Sequence, residues 1–133
     1  MPLTDRYLDA LQFAGRLHAN LRRRGSELPH FVHLIAVSAL VVEHGGDEDE
    51  AIAALLQDAV EDCGRDYHSR FHLPPLTGPN ALKRDIAAMF GLRVLAIVDA
   101  CTNEEDAADE QAGHGGPQED WHRRRRAGIA RHA

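Results

Sequence analysis

Apolar residues recur along this chain at three- and four-residue steps, which is a helical period. Leu8, Leu11, Ala14, Leu17, His18 and Leu21 form one apolar face over about five turns. Asp5 in the first turn and Arg22, Arg23 and Arg24 in the last suit the helix dipole, and Gly25 is a natural stop. A second helix is expected from near Pro29 to about His44, with Phe31, Leu34, Ile35, Val37, Leu40 and Val41 on its face. Gly45 and Gly46 end it. Asp47 and Glu50 then have the spacing of a capping pair and open a third helix. Ile52, Ala53, Leu55, Leu56, Ala59 and Val60 carry that helix to Asp62 or Cys63, where Gly64 stops it.

Residues 65–78 read as a loop, punctuated by Pro74, Pro75 and Gly78. Pro79 fits the first turn of a fourth helix running through Ile86 to Phe90. Leu92, Val94, Leu95, Ile97 and Val98 are read as helical, because no partner strands are evident elsewhere. Residues 103–120, acidic and glycine-bearing, suggest a mobile connection, and 121–133 an arginine-rich final helix. With no internal repeat and no linker, the expectation is one all-α domain over residues 1–133.

Composition narrows the class. At 133 residues, 44% hydrophobic and 27% charged, the chain has ordinary globular make-up. A formal charge of -6 gives no general affinity for nucleic acid or anionic membrane. The start of the chain lacks an apolar signal core, and no apolar stretch is long enough to span a membrane. Two cysteines, Cys63 and Cys101, are too few for a disulfide framework and fit a reducing cytoplasm. Nine histidines are the unusual count, and they point toward metal chemistry.

The most informative cluster is Gln57, Asp58, Glu61 and Asp62. At helical spacing the three carboxylates share a face, and packing like charges together costs energy unless something positive, such as a metal ion, sits among them. The alternative is a solvated acidic helix end, although the dipole disfavours negative charge there. His33 lies on the apolar stripe of the second helix, as a core histidine or as a ligand. Arg22, Arg23 and Arg24 are either a solvated helix end or an anion grip, and residues 123–126 carry the same ambiguity beside Trp121. His68, His72, His114 and His122 show no ligand spacing and read as surface residues, the alternative being that His68 or His72 lines a site.

Five segments in order carry a resemblance: residues 18–25, 29–33, 54–62, Phe90-Gly91 and 98–102. Together they resemble the HD-domain phosphohydrolases, and within them the RelA/SpoT-type domains that remove the 3′-pyrophosphate of guanosine tetraphosphate. A weaker echo runs over residues 121–129. The resemblance implies an HD-type helical bundle with a divalent ion, commonly manganese, between its central helices. It places His33 and Asp58 as metal ligands, with Gln57 where the family has the histidine of its His-Asp pair. It gives Glu61 and Asp62 the attacking water, and Arg23 and Arg24 the nucleotide. Leu21 and His30 stand where the family has glutamine and tyrosine. The family's last ligand aspartate belongs to a later helix, beyond Ala133, and Asp99 is the only late aspartate in an apolar segment. A core left short in this way favours self-association or a completing protein partner. The alternative functional readings are a non-catalytic relative that binds a nucleotide or a protein partner, and a helical interaction module without a ligand.

Overall fold

Helices account for the regular structure of residues 3–21, 25, 27–71, 74 and 76–101, which the computed structural model describes. They are α1 (Asp5–Leu17), α2 (His30–Glu43), α3 (Glu48–Leu56), α4 (Ala59–Cys63) and α5 (Pro79–Phe90). A further helical stretch covers residues 92–101. One isolated bridge, His68 with Thr77, closes the loop before α5. The fold is all-α, as the periodicity predicts. The acidic segment and the arginine-rich end lie outside the described residues.

Local chemistry sets the helix ends. The Asp47 carboxylate accepts from the Glu50 N–H while the Glu50 carboxylate accepts from the Asp47 N–H, each at 2.9 Å, so α3 opens with the expected capping box. The Gly46 N–H donates to the Val41 carbonyl and the Gly45 N–H to that of Val42, closing α2 in a Schellman turn. Gly45 has φ 88°, which a side chain would make costly. Pro79 occupies the first turn of α5.

Two boundaries differ from the sequence reading. The first helix ends at Leu17, not beyond Leu21, because the chain turns at His18, whose ring and backbone N–H both bond the Ala14 carbonyl. The buried face is accordingly Ala10, Phe13 and Ala14, and Leu8 is 58% exposed. The third helix is not continuous to Cys63 but breaks at Gln57 and Asp58 before α4.

The central helix is α3, packed chiefly on α2 and α1. Residues 51–56 are all buried, which explains why that stretch is apolar all round rather than on one stripe. Phe13 meets Tyr67 edge-on at 6.4 Å and Phe90 at 6.0 Å, joining α1 to the loop and to α5. The loop is held by buried Asp85, which accepts from the Tyr67 hydroxyl and, at 2.9 Å, from the Ser69 hydroxyl. Burial and the Asp85 carboxylate both push the Tyr67 phenol well above its ordinary value.

Arg6 ties the start of α1 to the start of α3 through Glu48 at 3.0 Å and Asp49 at 2.8 Å, and also donates to the Phe90 carbonyl at 2.6 Å. Burial pushes the Glu48 carboxyl up, but bonds from the Thr4 N–H and hydroxyl, together with Arg6, outweigh it and leave the group below its ordinary 4.5. A carboxyl lowered on folding adds stability that is complete above its unfolded pKa and declines as pH falls through the folded value. Thermal melts are therefore expected to lose stability below about pH 4.5. Glu48→Gln should lower the melting temperature at pH 7 and flatten that decline; an unchanged acid limb would refute the assignment.

Candidate functional site

The break in the central helix builds the site. Asp58 sits at φ -99° and ψ -4°, in the bridge region where irregular turns place side chains off the helical register. Its carbonyl still accepts from the Asp62 N–H at 2.9 Å, so Asp62 follows one turn later on α4. Asp58 is buried, whereas Glu61 and Asp62 are exposed. The first turn of α2 brings His30 and His33, and the turn after α1 brings His18. That turn is pinned to α2 by backbone bonds from Leu21 to His18 and from His30 to Leu21, each 3.0 Å.

The three imidazoles follow one another, with ring centroids 5.2 Å apart for His18 and His30 and 5.7 Å for His30 and His33. His30 Nε2 lies 3.1 Å from the Asp58 carboxylate and 3.4 Å from that of Asp62. His18 Nε2 is 4.0 Å from the Asp62 carboxylate. His30 Nε2 therefore stands within reach of both carboxylates.

His18 is fully buried. The Ala14 carbonyl can only accept, so Nδ1 carries the proton of that 3.0 Å bond and the neutral ring presents Nε2 as a lone pair. Burial pulls the His18 pKa below 6.5, with the Ala14 bond opposing it, the neighbouring His30 reinforcing it and the Asp58 charge opposing it. Its Nε2 has no hydrogen-bond partner among the described residues, nor has either amide atom of Gln57, a residue only 1% exposed. Buried polar atoms left in this state cost about 1–3 kcal/mol each unless something else satisfies them. The imidazole nitrogens of His18 and His30 and the Asp62 carboxylate oxygen, grouped at this junction, are donors that fit a divalent cation.

Of the residues singled out in the sequence, His33, Gln57 and Asp58 are all buried, and His33 reaches Asp58 through His30. Asp62 joins the cluster, and Glu61 is exposed. Arg23 and Arg24 lie outside the described residues. Asp99 pairs with Lys83 at 3.2 Å. His18 and His30 were not read as functional, because the contacts that unite them with Asp62 span 44 and 32 positions and leave no local spacing. The high histidine count hinted at them, and the resemblance marked His30 as standing at a family tyrosine position.

Beside Asp62 opens a cavity of about 500 Å³, whose lining includes Arg16, Asn20, Tyr67, His68 and Arg70. That volume is within the usual range for small-molecule sites. His68, read from sequence as a surface residue, is therefore both exposed and at the cavity wall. Cys63 also borders it, but burial, then the Asp62 and Asp58 charges, push its thiol up to about 12, which disfavours a thiolate at neutral pH.

Residues 10–131 match the HD domain family. The chain belongs to that family. Over 53 residues, or 40% of its length, this HD domain is 45% identical to a protein of Synechocystis sp. named as a probable guanosine-3′,5′-bis(diphosphate) 3′-pyrophosphohydrolase. The matched region is 7% of that relative's length. No helix among the described residues of the HD domain is long and apolar enough to cross a membrane.

Proposed function

We propose that this HD domain is a metal-dependent phosphohydrolase that removes pyrophosphate from guanosine tetraphosphate or a related nucleotide. The observation that carries this reading is the histidine–carboxylate cluster that meets, at Asp62, a nucleotide-sized cavity. The similarity to the Synechocystis enzyme supports the substrate class. His33, Gln57 and Asp58 would hold the ion, and manganese is the metal that the family resemblance favours. When bound, such an ion acidifies a coordinated water and polarises a phosphoryl oxygen. Glu61 and Asp62 orient the attacking water and accept its proton. Arg23 and Arg24 grip the nucleotide.

Arg16 and Arg70 add cations at the cavity, and neither forms an ion pair among the described residues. Both are thus available to phosphate oxygens. The proposal extends to a cytoplasmic setting and to self-association or a completing partner over exposed Leu28, Val32 and Ile35.

Steady-state kinetics on guanosine tetraphosphate test the cavity. Each of Arg16→Ala and Arg70→Ala is expected to raise KM by roughly 10-fold or more, the worth of one charged hydrogen bond, with a smaller change in kcat. Unchanged KM in both variants would refute the assignment. The buried amide of Gln57, where the family has histidine, favours a second reading: a domain that binds the nucleotide without turning it over. Nucleotide-dependent stabilisation with no product formed would select that reading.

A further inference from the structure

We propose that Asp85 is a positioning residue for the nucleotide cavity: it fixes the register in which the loop before α5 presents Arg70 to the substrate. The inference rests on the cavity reading proposed above, but not on turnover. Three observations carry it.

The first is an alternation. The bridge between His68 and Thr77 makes the chain strand-like there, and in such a segment successive side chains point to opposite faces. Tyr67 and Ser69 are buried, whereas Asp66, His68 and Arg70 are exposed and line the cavity. The second is what holds the buried pair. The Asp85 carboxylate, itself 2% exposed, accepts from the Tyr67 hydroxyl through one oxygen and from the Ser69 hydroxyl, at 2.9 Å, through the other. The backbone closes around this anchor. The Ser69 N–H donates to the Leu76 carbonyl at 2.8 Å and the Gly78 N–H to that of Tyr67 at 3.0 Å. The Phe71 N–H donates to the Ser69 hydroxyl at 3.1 Å, so Arg70 stands between two fixed neighbours. The third is the cost of the anchor. No cation pairs with Asp85 among the described residues, so two hydroxyls alone offset the desolvation of a buried carboxyl. An apolar side chain would fill that core position on α5 with less desolvation; what the carboxyl adds is direction. A slip of one residue in a strand-like segment turns every side chain to the other face, and it would take Arg70 out of the cavity. The two bonds to Asp85 select one register.

Calorimetric titration with guanosine tetraphosphate, in parallel with steady-state kinetics, tests this role, and thermal melts verify that each variant folds. Should no product form, the titration decides alone. Asp85→Ala and Ser69→Ala should each raise Kd and KM at least about 3-fold and leave kcat within about 2-fold. Asp85→Asn, which keeps an acceptor for one hydroxyl and can donate to the other, should lose much less. In an Arg70→Ala background neither alanine variant should weaken binding further, because the guanidinium that the anchor positions is gone. Should Asp85→Ala fail to fold, Ser69→Ala decides, since Ser69 lies outside the cavity wall and loses only a hydroxyl. Binding weakened by Arg70→Ala but not by Ser69→Ala or Asp85→Ala would overturn the positioning role and leave the cavity reading intact. Losses that add in full to that of Arg70→Ala would do the same, because a general loosening of the fold gives that result. A wild-type chain that does not bind the nucleotide, or an Arg70→Ala variant that binds it as tightly, would overturn both.

Discussion

Phe13→Ala is expected to cost about 3–5 kcal/mol of unfolding free energy, as truncations of buried aromatics do. The ring is 5% exposed and packs against both Tyr67 and Phe90, so its loss leaves a cavity that three elements cannot jointly close. It also lines the space beside Asp62, so the variant should loosen the wall carrying Tyr67 and Arg70. Denaturant melts would read this as a lower midpoint, while Phe13→Leu, which retains most of the volume, should lose much less. Equal losses in the two variants would show that the aromatic contacts are not what joins α1 to the loop.

Gln57→His should act in the opposite direction, on the metal rather than the fold. Its buried amide has no hydrogen-bond partner among the described residues and sits next to Asp58, so imidazole replaces a weak donor with a strong one. The expected effect is a gain in divalent-metal affinity of about 10–100-fold, on the scale by which single groups tune such sites. Isothermal titration of wild type and variant measures it directly. No gain would mean that position 57 does not face the ion, against its proposed place among the ligands.

Much of the architecture was legible in the sequence. The capping box at Asp47 and Glu50, the Gly45–Gly46 stop, Pro79 in a first turn and the helix after Gly91 depend on neighbours within a few positions. The early end of α1 was not legible, because Leu21 and the arginines prolong an apolar and dipole-compatible pattern past the turn at His18. The break at Gln57 and Asp58 was equally hidden. No glycine or proline marks it, and only tertiary packing shows that α4 departs from α3.

For the site, the carboxylates announced themselves as like charges at helical spacing. The histidine that contacts Asp58 did not, since His30 reaches it from 28 positions away. Buried Asp85 was missed for the same reason. Its partners Tyr67 and Ser69 lie across a loop, and nothing in the pattern around α5 distinguishes it from a solvated aspartate.

The most direct test of the account is pyrophosphate release from guanosine tetraphosphate, followed with and without manganese for the wild-type chain and for Asp58→Ala. Asp58 is buried and is one of the residues proposed to hold the ion, so its loss should remove the ion. The account predicts release that requires the ion, stops with chelator and disappears in Asp58→Ala. Absence of release with any divalent ion, or release that Asp58→Ala leaves untouched, would contradict it.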